Sequence, residues 1–91
     1  MRKRIDSLKE LREIPGVGKV IAQDLWSLGI YSQSDLKNQN PEFLYQKHNK
    51  LRGAIQDRCM LYVFRCAVYF VNTSEKKRDS KKLLWWYWKD K

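Results

Sequence analysis

Between Leu11 and Leu25 the chain has the sequence LREIPGVGKVIAQDL, which predicts two helices joined by a short hairpin. Pro15 and Gly16 end the first helix, because proline cannot continue a helix and glycine accepts the left-handed conformation of a helix cap. The second helix is predicted to begin at Gly18 or Lys19, so its free amides and positive dipole end face whatever the hairpin meets. Since such a helix end binds anions, the hairpin is a candidate site for a nucleic-acid phosphate.

The composition limits the chain to one small, basic, globular domain. Its 91 residues leave no room for a second core, and a hydrophobic content of 43% is enough for one packed core. The formal net charge of +9 indicates a polyanionic partner. Nucleic acid is favoured over a membrane surface, because the basic residues are spread among predicted helices. The alternative is that the charge serves only solubility.

No segment is predicted to enter a membrane or to direct export. The longest apolar run, from Cys59 to Val71, contains Arg65 and is too short to cross a bilayer. Residues 1–6 are basic but are not followed by the apolar segment of a signal peptide. We therefore expect a cytoplasmic protein. Cys59 and Cys66 are expected to be reduced, buried thiols, since a helix would hold them too far apart for a disulfide.

The remaining pattern predicts an all-α fold, a tandem helix-hairpin-helix-like domain of five helices that spans residues 1–91. It divides into a first unit, a connector with a short helix, and a degenerate second unit, at residues 6–29, 30–39 and 40–72. The second hairpin is degenerate because the turn from Arg52 to Ile55 lacks the proline and one of the two glycines. The helix that follows it would also suit a strand, but no other segment resembles a sheet partner.

Local capping signals predict where individual helices begin and end. The first helix is expected at about residues 6–14. The fourth follows Asn40 and Pro41, a cap and a first-position proline, and ends near Gly53. The fifth is expected from about Gln56 to Val71.

Residues 73–91 are predicted to form a lysine-rich linker and an aromatic tail, LLWWYW at residues 83–88. Exposed aromatic clusters are unfavourable in water unless they dock. We expect a short helix or extended tail that packs on the second and fifth helices, against Trp26. The alternatives are that the tryptophans stack on unpaired bases or cover a protein partner.

The first unit resembles the helix-hairpin-helix motif of DNA repair and recombination proteins, and the whole chain resembles a short bacterial family of that fold. The motif is matched by Leu11, Ile14, the turn PGVG at residues 15–18, Ala22 and Leu25. The family comprises the "pathogenicity locus" or "mitomycin resistance" helix-hairpin-helix proteins. The strings that carry the resemblance are IPGVGK, QDRCMLYVFRCAVY and WWYWKD, at residues 14–19, 56–69 and 85–90. The resemblance implies the fold and a contact with DNA, and it implies no defined activity.

The backbone amides of the first hairpin are the primary candidates for DNA binding. The expected donors are Gly16, Val17, Gly18 and Lys19, with the lysine adding its charge. Contacts of this kind position a protein on the DNA backbone without identifying bases, so little sequence preference is expected. The alternative is an ordinary turn with Val17 in the core below it. A dinucleotide site is rejected, because a helix and not a strand precedes the glycines.

Arginines near the second turn are the secondary candidates. Arg52 and Arg58 are expected to supply a second phosphate contact. The alternative is that arginines on this side are ion-paired supports, with partners such as Asp24 or Asp57. For Arg65, in the middle of an apolar helix, the supporting role is favoured.

The sequence gives no indication of an enzyme, a metal site or a cofactor. His48 is the only histidine, and its polar neighbours in sequence predict an exposed face. No second histidine or cysteine pair offers it a metal ion. Lys19 and Asp35 superficially match the lysine and aspartate of some helix-hairpin-helix glycosylases. However, Lys19 lies one position too early, and the chain is too small to enclose a flipped base.

Two functions therefore follow from the sequence. The first is a non-catalytic, largely sequence-independent DNA-binding module that contacts the phosphate backbone through the glycine hairpin. The second is a protein–protein interaction module whose partner is a DNA-processing protein of repair or recombination.

Overall fold

The protein is described by a computed structural model over residues 3–90, and in that range it is helical without strands. Five α-helices form the body, at Arg4–Leu11 (α1), Lys19–Ser27 (α2), Gln33–Leu36 (α3), Pro41–Arg52 (α4) and Cys59–Asn72 (α5). Short 3₁₀ helices follow at Glu75–Lys77, Ser80–Leu83 and Trp85–Trp88. The all-α prediction is confirmed, including a helix where a strand was the alternative. The ends of the predicted domain, at residues 1 and 91, lie outside the described residues.

The bounds of α4 agree with its local signals. The side chain of Asn40 accepts a hydrogen bond from the amide of Phe43 at 3.1 Å, and Pro41 is the first helical residue. Gly53 ends the helix in the left-handed conformation, with a φ of 71°. Each of these residues affects only the backbone within a few positions of it, so the local sequence is sufficient to place both ends of the helix.

The first helix begins and ends earlier than predicted. It starts at Arg4 and stops at Leu11, three residues before the predicted end at Ile14. The amides of Glu13 and Ile14 donate to carbonyls three residues back, which tightens the chain into turns. Pro15 explains this early end, because a proline disfavours helical conformation in the residue before it.

α5 starts at Cys59, whereas the sequence predicted a start at about Gln56. The amide of Gln56 donates to Oδ1 of Asn49 at 2.8 Å, and its carbonyl accepts from the hydroxyl of Tyr45. These bonds hold Gln56 outside the helix. The carboxylate of Asp57 then accepts from the amide of Cys59 at 2.8 Å, which satisfies the first turn.

The core lies between α5 and the other helices. Phe64, at its centre, is fully buried, together with Leu11, Ile14, Leu25 and Leu36. α1 packs on α2, and α4 packs on α5. No helix among residues 3–90 is long and apolar enough to cross a bilayer.

The aromatic tail docks on α5, as predicted for that helix. Trp85 packs against the buried core, and the indole nitrogen of Trp88 donates to the carbonyl of Lys82 at 2.9 Å. The predicted role of Trp26 is wrong. Its ring pairs with Tyr31, with the ring centroids 4.5 Å apart.

Candidate nucleic-acid interface

The hairpin between α1 and α2 is anchored to the core from below and from one side. Ile14 and Val17 are 1% and 5% exposed, so both belong to the core. Gly16 has a φ of +83°, and a β-carbon there would lie 3.5 Å from Cβ of Trp85 and 3.8 Å from Cγ1 of Val63. The glycine at position 16 is therefore explained by the turn itself.

One of the four predicted amide donors is already occupied. The amide of Val17 donates to the carbonyl of Ile14 at 3.1 Å, so it is not available to a ligand. This bond closes the turn. By contrast, the amides of Gly16, Gly18 and Lys19 have no acceptor within residues 3–90, and neither does that of Val20.

The N-terminus of α2 has no side-chain cap. The helix begins after Gly18, whose carbonyl accepts the first helical bond from Ala22 at 2.9 Å. Glycine has no side-chain oxygen to satisfy the amides that follow. The N-termini of α3 and α4 are instead capped by Ser32 and Asn40. Only α1, of the other four α-helices in the described chain, shares with α2 the absence of a side-chain acceptor at its first turn.

The glycine at position 18 is not required by the fold. Its φ of −93° is open to any residue, and a β-carbon built there would have no heavy atom within 4 Å. The space that its missing side chain leaves is solvent beside the free amides. Lys19 follows at once, exposed and without an ion-pair partner in the described part of the chain. An anion can therefore approach the start of α2 without displacing a protein group.

The second turn, before α5, does not offer an uncapped helix start to an anion. The carboxylate of Asp57 lies on the first turn of α5, and the hydrogen bond from the Cys59 amide lowers the pKa of Asp57. A fixed negative charge at this helix end satisfies an amide and repels a phosphate.

Both arginines predicted near that turn have intramolecular carboxylate partners. Nη2 of Arg52 lies 2.7 Å from Oδ1 of Asp24, and Nε of Arg58 lies 2.7 Å from Oδ2 of Asp90. The two arginine side chains are 52% and 54% exposed. Arg52 and Arg58 thus form ion pairs of the kind that the supporting interpretation expected.

Arg65 connects α5, α4 and the tail. It contacts Glu42 at 2.9 Å, Oδ1 of Asp90 at 2.9 Å and the carbonyl of Trp88 at 2.8 Å. Hydrogen bonds from Arg65 and Arg58 lower the pKa of Asp90. The predicted supporting role of Arg65 is confirmed.

A protein-family model with the description "pathogenicity locus" matches residues 4–91 of the chain. The chain belongs to the pathogenicity locus family, Cdd1. Searches of curated proteins and of solved structures returned no match. The description of the family specifies no reaction and no ligand, so the function of this pathogenicity locus protein has to be argued from its own residues.

The prediction that His48 of this family member is exposed is wrong. His48 is 3% exposed, and its ring meets the edge of Phe64 with the centroids 6.1 Å apart. Burial lowers its pKa, and the charge of Arg52 adds to that effect against the opposite effect of Asp24. The spacing could have revealed this position, because His48 follows the buried Leu44 by four residues on the same helical face.

Neither thiol of the pathogenicity locus protein lies in a metal-binding group. Both cysteines are free, and Cys66 is buried as predicted, but Cys59 is exposed, so the prediction of a buried thiol is wrong for Cys59, which lies at the first turn of α5. Burial raises the pKa of the Cys66 thiol to about 11. Among residues 3–90 no group of three or more histidine, cysteine or acidic side chains could hold a metal ion.

Proposed function

We propose that the protein is a non-catalytic DNA-binding module that contacts the phosphate backbone with little sequence preference. The observation that carries the proposal is the start of α2, where Gly18, Lys19 and Val20 present amides without acceptors. A phosphate oxygen accepts such hydrogen bonds and is attracted by the positive end of the helix dipole. We infer a cytoplasmic location, where the two thiols stay reduced.

The two glycines of the hairpin have different roles: Gly16 allows the turn, and Gly18 leaves the start of α2 uncapped. Gly16 is needed for a turn with positive φ, whereas Gly18 has an ordinary conformation and open space around it. A serine or aspartate at position 18 would cap α2 and stabilise it. Its absence leaves the amides to an external acceptor, and the positive net charge of +9 favours one that is polyanionic.

Arg52 and Arg58 are left out of the proposed contact. Each is paired with a carboxylate, Asp24 or Asp90, and the helix end beside Arg58 is occupied by Asp57. The proposed contact with DNA is therefore confined to the start of α2 and Lys19. Phosphate contacts fix the position of a protein on DNA and carry no base information, so binding of this kind suits a module that acts on many sequences.

The test is fluorescence anisotropy with a labelled duplex across a salt series. Lys19→Gln is compared with Lys50→Gln, which removes the same charge from an exposed position on α4. We expect Lys19→Gln to weaken binding at low salt and to reduce the log–log salt slope by about 1. Lys50→Gln changes neither. Equal effects of the two variants would contradict a specific contact at the start of α2.

The second candidate is a protein–protein interaction module that joins a DNA repair or recombination protein. Phe43 and Leu51 favour it, since they are 62% and 58% exposed and line one shallow groove on α4 with Lys47 and Lys50. The anisotropy experiment separates the two functions. Absence of DNA binding even at low salt would move the function to this groove.

A further inference from the structure

We propose that the tail helix, Trp85–Trp88, is a stacking platform for an unpaired base. The preferred ligand is then DNA that has a junction between duplex and single strand. This inference rests on the proposed function, because it adds a single-strand contact to the duplex contact at α2.

The geometry of the tail helix divides its aromatic residues into two faces. A 3₁₀ helix has three residues per turn, so Trp85 and Trp88 lie on one side, three residues apart. That side faces the protein: Trp85 packs on the core, and the ring of Trp88 lies 5.5 Å from that of Tyr69. Trp86 and Tyr87 are on the other side, 51% and 50% exposed. Each of these rings meets a tail neighbour edge to face, Trp86 with Trp85 and Tyr87 with Trp88, and about half of each side chain remains in contact with solvent.

The exposed face is continuous with the first hairpin. Trp85 contacts the turn at Gly16, where a β-carbon would lie 3.5 Å from Cβ of Trp85. The ring of Trp86 meets that of Trp85 edge to face, with the centroids 5.7 Å apart. Only one tryptophan therefore separates the Gly16 turn from the exposed indole. A strand that leaves a duplex held at α2 is brought next to this indole.

The platform is held in place before any ligand arrives. The carbonyl of Trp88 accepts from Arg65 at 2.8 Å, and Asp90 pairs with Arg65 and Arg58. An ordered aromatic surface loses little conformational entropy on binding. A tail that served only as linker would not need these bonds.

The charges around the tail favour a nucleic acid over an apolar protein surface. Nζ of Lys89 lies 5.9 Å from the Trp85 ring centroid, and Nζ of Lys82 lies 5.7 Å from that of Tyr69. The nearby carboxylate of Asp90 is neutralised by its arginine partners. Aromatic rings flanked by cations are the combination that binds single strands, with the rings under the bases and the cations along the backbone.

The experiment compares a blunt duplex with the same duplex that carries a short single-stranded thymidine overhang. We expect the wild-type protein to bind the overhang substrate about fivefold or more tightly than the blunt one, the gain from one stacked base. Trp86→Ala abolishes this preference and leaves blunt-duplex affinity unchanged. Trp86→Phe retains most of the preference because phenylalanine still stacks. Phe43→Ala is the matched control, since it removes an aromatic ring of similar exposure from α4.

The outcomes separate this inference from the proposed function. Equal wild-type affinity for the two substrates, with Lys19-dependent binding to both, would overturn the platform and support the contact at α2. Equal loss of preference in Trp86→Ala and Phe43→Ala would also overturn the platform. Binding of a thymidine oligonucleotide that depends on Trp86, without binding to the blunt duplex, would support the platform and overturn the proposed phosphate contact at α2.

Discussion

Asp90 joins the tail to α5 through Arg65, with Oδ1 of the carboxylate 2.9 Å from Nη1 of the guanidinium. The same carboxylate also accepts from Nε of Arg58 at 2.7 Å and from the hydroxyl of Tyr62 at 3.3 Å. Two side chains of α5 and that of Arg58, the residue before the helix, thus converge on one residue of the tail. The position of the aromatic face depends on this carboxylate.

Asp90→Asn is expected to loosen the tail. The variant removes the only carboxylate that pairs with Arg58 in the described chain and leaves Arg65 paired with Glu42 alone, so the tryptophans of the tail helix become more accessible to acrylamide quenching. Glu75→Gln, an exposed acid in the linker, is the control and leaves quenching unchanged. Equal quenching in Asp90→Asn and wild type would show that the apolar packing and the hydrogen bond from Arg65 to the Trp88 carbonyl hold the tail without Asp90.

Acid is expected to release the tail in the same way. The pKa of Asp90 is lowered in the folded protein by hydrogen bonds from Arg65 and Arg58. Its contribution to stability is therefore complete above the unfolded pKa, about 3.9, and is lost as the pH falls through the lower folded value. Tryptophan quenching measured against pH should rise in that acidic range in wild type, and Asp90→Asn should lack this step.

His48 is expected to make the protein less stable in mild acid. Burial lowers its folded pKa, so the unfolded state binds a proton first as the pH falls below about 6.5. The contribution of His48 to the free energy of unfolding is then constant above that pH and declines from it toward the folded pKa. Urea midpoints at several pH values measure this decline. A His48→Gln variant that keeps the full decline would assign it to other groups.

Alanine substitutions at the two hairpin glycines are expected to differ in their effect on stability. Gly16→Ala places a β-carbon at a φ of +83° and should cost about 1–2 kcal/mol. Gly18→Ala has an ordinary φ and open space, so the free energy of unfolding should change by about 0.5 kcal/mol or less. Thermal or urea unfolding measures both. Similar losses in the two variants would mean that Gly18 too is a structural glycine.

Arg52→Gln is expected to lower stability without weakening DNA binding. It removes the cation from Asp24, whose side chain is 9% exposed, at a cost of about 1 kcal/mol because Arg52 itself is half exposed. The duplex affinity at fixed salt should stay close to that of wild type. A loss as large as that of Lys19→Gln would return Arg52 to the DNA contact.

The sequence was sufficient wherever a residue acts on its own backbone. Asn40, Pro41 and Gly53 placed both ends of α4 because each works within a few residues. The start of α5 was missed because Gln56 is held out of the helix by Asn49 and Tyr45, and no spacing rule reveals those bonds.

Some features of the candidate site could likewise be predicted from the sequence, and others required the folded chain. Uncapped amides at the start of α2 follow from the lack of a side chain at Gly18, so they could be predicted. The partners of Arg52 and Arg58 lie 28 and 32 positions away in the sequence, and only the folded chain brings them together. The use of the Val17 amide within its own turn likewise required the backbone geometry.

The contact between Gly16 and Trp85 has a kinetic consequence. The two residues are far apart along the chain, so the contact has a high contact order and pays a large loop-closure entropy. During synthesis the hairpin emerges from the ribosome early, and this side of it stays uncovered until Trp85 has emerged as well. Folding of the hairpin in its final surroundings is therefore a late event, and a nascent chain halted before Trp85 should expose the part of the core on which Trp85 packs to chaperones that bind apolar surface.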